Sequence, residues 1–302
     1  MTWPEVEPML RLGCFAGVLL LTALAEALAP RRRPRAGKSI RWLSNLGLVA
    51  LNTIILRVLF PLGVAGVALI AKEKSWGLLN NLDIPYWLAV ALGVIILDLA
   101  IYLQHVMFHA VPILWRLHMV HHADLDFDVT TGLRFHTLEI LLSTGIKVGV
   151  VVLIGAPALG VLIFEILLNA TSMFNHGNFR LPLWLDRLLR LTLVTPDMHR
   201  VHHSVKPHET NSNFGFNLPW WDFLLGTYRA QPSDGHEGMQ IGLAQFADER
   251  VTHLLWMLLL PFVGGIGDYP VNRQSERTLS GLVPKRNSEE PQLAAARQRD
   301  HE

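Results

Sequence analysis

The chain has 302 residues, of which 51% are hydrophobic and only 17% are charged, well below the charge content of an ordinary soluble domain. A formal net charge of +1 offers no basic field for nucleic acid, and the single cysteine, Cys14, excludes both a disulfide framework and a thiolate metal site within one chain. Long apolar runs account for the missing charge and point to an all-α integral membrane protein.

Residues 10–29 form the first apolar run, long enough to cross a bilayer core of about 30 Å. Ala27-Leu28-Ala29 imitates a signal-peptide cleavage site. The preceding residues, however, include Glu5 and Glu7 rather than basic ones, and Pro30 would follow the cut. The basic cluster Arg31, Arg32, Arg33, Arg35 and Lys38 follows the run, which sets its C-terminal end on the cytoplasmic side. A second apolar stretch, Trp42 to Ala71, is interrupted by Arg57 and Pro61 and is expected to span and return. Asn80, Asn81 and Pro85 mark a turn. A third span is expected from Tyr86 to Ala110, with Asp98, His105 and His109 in its second half.

Residues 138–174 are apolar around Gly155-Ala156-Pro157 and read as two short helices joined by a tight turn, either as two spans at the lower limit of length or as a shallow re-entrant hairpin. Glu165 lies inside this hairpin, where a carboxylate is costly and a functional role is the default. Residues 177–250 are polar enough to lie outside the membrane. Residues 251–265 are apolar but short and suit an interfacial helix. From Asn272 the composition is that of a disordered tail. This topology gathers the basic cluster and the clustered histidines on one side.

Ten of the 14 histidines lie between His105 and His203, where even spreading would place roughly five. His105-x-x-x-His109 puts two imidazoles on one helix face, as i and i+4. His118-x-x-His121-His122 and His199-x-x-His202-His203 repeat the i, i+3, i+4 pattern. His136 and His176 stand alone. Unpartnered burial of so many imidazoles would cost a few kcal/mol each, whereas two metal ions with four to five ligands each would use them all. Imidazole suits Fe, Zn, Cu and Ni alike, so ligand type does not choose the metal. His208, His236, His253 and His301 lack the spacing and read as ordinary polar residues.

The motifs resemble the fatty acid hydroxylase superfamily, in particular its sterol desaturase-like members. The likeness covers residues 95–230. It runs through His105-Val-Met-Phe-His109, Leu114-Trp115-Arg116-Leu117-His118-Met-Val-His121-His122, Thr130-Thr131-Gly132-Leu133-Arg134-Phe135-His136, Phe174-Asn175-His176-Gly177-Asn178, Thr195-Pro196-Asp197-Met198-His199-Arg200-Val201-His202-His203, Asn211-Ser212-Asn213-Phe214-Gly215 and Trp221-Asp222-Phe223. Thr137 departs from the pattern, since many relatives carry proline there. The resemblance implies a helical membrane base, a cytoplasmic His-rich cap and a non-haem di-iron centre, with zinc as a possible substitute. His105, His109, His118, His121, His122, His136, His176, His199, His202 and His203 would be its ligands, undivided between the two ions. It further implies O2-dependent hydroxylation or desaturation of a lipid such as a sterol or fatty acyl chain.

The chain then divides into N-terminal membrane helices and loops (1–85), a fatty acid hydroxylase-like catalytic region (86–250), an interfacial helix (251–271) and a tail (272–302). Asp98, Asp124, Glu139, Asp197 and Asn213 are candidates to orient the imidazoles through their outer N–H groups, each with a salt bridge or cap as the plainer reading. Arg134 with Glu139 is one such tie. The sequence shows no dinucleotide, haem or iron–sulfur signature, so electrons are expected from a separate donor, either a ferredoxin, a cytochrome b5-like protein or a reductase. Arg180, Arg187, Arg190 and Arg200 could dock an acidic carrier, although ordinary positive-inside bias accounts for them better. Alanine- and arginine-rich composition favours a bacterial inner membrane over the endoplasmic reticulum. A di-zinc hydrolase and a metal transporter are the competing readings; transporters place ligands near the bilayer midplane, whereas these histidines fall at helix ends and in polar segments.

Overall fold

The computed structural model describes residues 3–271, the first four by backbone alone, and the expected tail lies outside them. The described residues form helices and turns, with two isolated β-bridges, Pro30 to Phe179 and Ser204 to Ile241. The principal helices are α1 (Trp3–Leu28), α2 (Lys38–Leu59), α3 (Gly63–Glu73), α4 (Tyr86–Ala110), α5 (Pro112–His122), α6 (Thr137–Ile154), α7 (Ala158–Asn175), α8 (Leu183–Leu189) and α9 (Pro196–His202). Five helical stretches among the described residues are long and apolar enough to cross a membrane, with α2 and α3 counted as one broken stretch. The protein is therefore a multi-pass membrane protein.

Local chemistry sets the breaks. Pro61, lacking an N–H, separates α2 from α3, and Pro112 at the first turn of α5 prevents α4 from continuing. The hairpin between α6 and α7 turns at Gly155, whose φ of 69° caps α6 in the left-handed region. Gly77, φ 86°, approaches so closely that a Cβ on it would sit 2.1 Å from the Gly155 nitrogen, so two glycines let the loop before α4 rest on the far end of the hairpin.

In the membrane base, α1 packs on α7, α3 on α6 and α7, and α4 on α6 and α7. Val64, Ala65, Ala68, Leu97, Ile101, Val151, Val161 and Phe164 form its core. The outer faces carry exposed Leu12, Leu20, Leu21, Leu103 and Leu153, as lipid contact requires.

The cap is built on α5. Trp115, Met119, Val120 and Ala123 meet Leu243, Phe246, Val251, Met257, Leu260, Ile266 and Tyr269 from the C-terminal stretch. Complete burial of a large apolar side chain contributes about 1.5–3 kcal/mol. The interfacial helix expected at 251–265 is a short helix, Leu254–Leu259, followed by a single turn, Leu260–Phe262. It buries Met257 and Leu260 in the cap and exposes Leu255, Leu259 and Phe262.

Buried charges join cap and helices. Arg41, wholly buried near the start of α2, bonds Asp124 at 2.7 Å and also meets Asp128. Glu26 of α1 accepts from the Val129 and Asn178 amides at 2.7 and 2.8 Å. Arg134 donates to the Val120 and Val251 carbonyls at 2.7 and 2.5 Å. The tie expected between Arg134 and Glu139 is not made; Arg134 is saturated by carbonyls, and Glu139 faces a histidine instead.

Candidate metal centre

Nine histidines converge in two buried groups. The first holds His105, His109, His118, His122 and His202; the second holds His121, His176, His199 and His203, and within each the ligand atoms lie within 4.8 Å of one another. Helix geometry makes the division. Consecutive residues project about 100° apart on an α-helix, so His121 and His122 aim at different groups, while His118 and His122 share a face. Thus α5 gives two imidazoles to the first group and one to the second. α9 does the reverse, sending His199 and His203 to the second group and His202 to the first. α4 adds His105 and His109 to the first, and the end of α7 adds His176 to the second. Thr195 accepts from the Met198 amide to start α9, and Pro196 sets its first turn.

The proton count within the groups calls for a cation. His105 Nδ1 lies 2.7 Å from the Phe214 carbonyl, His202 Nδ1 2.7 Å from that of Ser212 and His176 Nδ1 2.7 Å from that of Ser172. A carbonyl only accepts, so each Nδ1 carries the proton and, in a neutral ring, each Nε2 presents a bare lone pair inward. His118 Nδ1 faces Glu139 at 2.7 Å, and His109 Nδ1 faces the Asn211 side-chain oxygen at 3.0 Å. Asn211 is itself oriented by donating to the Tyr269 carbonyl at 2.7 Å.

Yet His105 Nε2 lies 3.0 Å from His118 Nε2, and His176 Nε2 lies 3.1 Å from both His121 Nε2 and His203 Nε2. Two nitrogens bound at a right angle to one ion, each about 2.1 Å from it, are separated by about 3.0 Å. His122 and His199 bury both ring nitrogens without a hydrogen-bond partner, as do His109 and His202 at Nε2. Each such nitrogen costs about 1–3 kcal/mol if left unmet. The donor set thus fits two metal ions.

Burial keeps the rings neutral, the form that binds metal. It pushes His118 and His176 down to about 3. Burial first, then neighbouring imidazoles, hold His121, His122, His199 and His203 well below the usual range, and burial also lowers His202. Phe135 stacks on His121 with centroids 4.4 Å apart, and Phe127 on His176 at 5.3 Å.

His136, the tenth candidate, is in neither group. It caps α6, accepting from the Leu138 amide at 3.1 Å, while Nε2 faces the Leu258 carbonyl at 3.3 Å. Of the five candidate orienting residues, Glu139 alone touches a clustered imidazole. Asp98 accepts from Trp221 at 2.8 Å, Asp124 binds Arg41 and Thr131, and Asp197 binds Arg31 and Arg200. Asn213, in the left-handed region at φ 52°, bonds the Met198 and Arg229 carbonyls. Beside Glu139 on His118, the groups that meet outer ring nitrogens are Asn211 on His109 and the carbonyls of Ser172, Ser212 and Phe214 on His176, His202 and His105. Asn211 stood in the quoted Asn-Ser-Asn-Phe-Gly motif, but the carbonyls carry no side-chain signature. Of the four arginines considered for docking, Arg190 and Arg200 are buried in pairs with Asp186 and Asp197, whereas Arg180 and Arg187 are exposed.

A cavity of about 690 Å³ runs from the membrane base to His105 and His118. Phe108, Phe135, Glu139 and Phe216 line its inner end, and Ile101, Ile140 and Leu168 line its walls.

Residues 90–227 match the family described as Fatty acid hydroxylase. The chain is 32% identical over 173 residues to an ornithine lipid hydroxylase of Rhizobium tropici, covering 57% of this chain and 51% of that protein. It is 27% identical over 194 residues to an alkylglycerol monooxygenase of Xenopus tropicalis, covering 61% and 41%. It is 28% identical over 145 residues to a cholesterol 25-hydroxylase of Rattus norvegicus, covering 47% of each. The chain therefore spans about half the length of the curated relatives it matches. No solved structure matches.

Proposed function

For a chain whose residues 90–227 give it a family-level match to the fatty acid hydroxylase and sterol desaturase superfamily, we propose that it is a membrane-bound di-iron oxygenase that hydroxylates or desaturates a lipid with O2 and electrons from a separate donor. The observation that carries this reading is two all-histidine groups lying side by side, with His105 and His118 of the first group at the inner end of a cavity that opens from the membrane base. His105, His109, His118, His122 and His202 would hold one iron, and His121, His176, His199 and His203 the other. The iron pair, when bound, supplies the oxidising power to remove hydrogen from an unactivated C–H bond.

The rest is placement by the protein. The carbonyls of Ser172, Ser212 and Phe214 hold protons on the outer nitrogens of their imidazoles, which fixes the tautomer and aims Nε2 inward. Asn211 and Glu139 do the same for His109 and His118. Phe108, Phe135 and Phe216 keep the inner end of the cavity dry and flank an apolar chain beside His105 and His118. In this reading the basic segment Arg31–Arg35 and the cap face the cytoplasm of a bacterial inner membrane, and an acidic or haem-bearing donor meets the exposed side of the cap. Names among the relatives point to polar membrane lipids, alkylglycerols and sterols as the substrate range.

Purified protein is expected to hold about two irons per chain, as a two-metal site requires. After anaerobic reduction it should consume O2 on addition of a lipid substrate, and His121→Ala should lose metal from the second group and all lipid-dependent uptake. Stable metal with no oxygen uptake on any lipid tried would overturn the oxidative reading and leave a di-zinc hydrolase or a transporter.

A further inference from the structure

The apolar base contains a polar island. Arg11 of α1 pairs with Glu7 at 2.8 Å and with Glu165 of α7 at 2.8 Å, and Lys147 of α6 pairs with Glu165 at 3.1 Å. Lys147 lies about 15 Å along α6 from the cap end at 1.5 Å per residue, which is near the midplane of a bilayer whose core is about 30 Å thick. Charge at that depth is expensive and marks function by default.

Two observations give the island a use beyond tying α1 to the hairpin. Glu7, Arg11, Lys147 and Glu165 all line the cavity that ends at His105 and His118. Arg57, near the end of α2, lines the same cavity and has no ion-pair partner among the described residues. The third carboxylate on the cavity, Glu139, is bonded to His118 at its inner end, so at the island itself three cations face two carboxylates and Arg57 is left without an ion pair. Ion pairs that merely locked helices together would need neither the cavity nor the spare guanidinium.

We infer that this island is the subsite for the polar head of the lipid. An oxyanion-bearing head, phosphate or carboxylate, seats against Arg57 and Arg11, which replace its lost hydration. The apolar chain then runs past Ile101, Ile140 and Leu168 towards His105 and His118. Lys147 and Glu139 are about 12 Å apart along α6, so the separation of head and metal groups acts as a ruler that selects which carbon reacts. This last step rests on the oxygenase reading; the head subsite itself does not.

The test is lipid binding to the full-length, metal-loaded protein in detergent, using dioleoyl phosphatidic acid and dioleoylglycerol, which share their chains and differ in the phosphate. Wild type should prefer the phosphate lipid by about tenfold. Arg57→Gln should abolish that preference, leaving dioleoylglycerol binding and metal content unchanged, and Arg57→Lys should keep most of it. Inorganic phosphate alone at millimolar concentration should not displace the lipid. Equal binding of the two lipids by wild type, an unchanged preference in Arg57→Gln, or displacement by phosphate alone would overturn the head subsite. Oxygen uptake measured on the same samples separates the two readings: a phosphate preference without uptake sinks the oxygenase and spares the subsite.

Discussion

In the membrane base, helices meet through small and branched apolar residues such as Ala65, Ala68, Val151 and Val161, and the charged side chains of Arg11, Lys147 and Glu165 sit around one cavity. In the cap, the centre is imidazole, and the surrounding shell is arginine, aspartate and backbone carbonyl: Arg41, Arg134 and Arg200 are wholly buried there. Lipid supplies no hydrophobic drive between helices, so close packing and satisfied backbone hold the base. The cap instead spends desolvation energy on holding nitrogen lone pairs in place, and recovers it only where every charge is matched.

That contrast can be broken most severely at Arg41. Arg41→Met leaves Asp124 and Asp128 buried without their cation, and a loss of about 3–5 kcal/mol is expected. It should appear in a thermal melt of the detergent-solubilised protein together with faster amide exchange in residues 124–131. If exchange rose equally in α6 and α7, cap and base would not be separable units. Gly77→Ala attacks the base. A Cβ pressed against the Gly155 backbone at positive φ should cost roughly 3 kcal/mol, with metal content per folded chain unchanged; loss of metal in parallel would show that the far end of the hairpin also governs the cap. The smallest effect is Asn211→Ala, which removes only the partner of the His109 outer nitrogen. It should weaken metal binding by about 10- to 100-fold while leaving the melt of the metal-free protein almost unmoved.

The base was legible in the sequence because its signals are local. The third span, Tyr86–Ala110, has the bounds that hydropathy assigned it, and Gly155-Ala156-Pro157 marks the hairpin turn. Pro61 marks the α2–α3 break, although α2 begins at Lys38 rather than at Trp42. In the cap, spacing alone gathered the histidines but could not divide them, since the division depends on how α5 and α9 face each other across about 80 residues of chain. Arg41 looked like one more member of a basic flank. Its carboxylate partners are 83 and more residues away, beyond any local pattern. Glu165 was legible as an anomaly, but its partners Lys147 and Arg11 belong to other helices.

The crossed allegiance of α5 and α9 also governs assembly. Each short helix lends imidazoles to both nests, so neither nest can be finished while the other is out of register. An ion captured by one would clamp the two helices and thereby shape the second cradle before anything arrived in it. If both nests hold ions, the lacing that makes two sites out of two repeated motifs would make their filling a joint event.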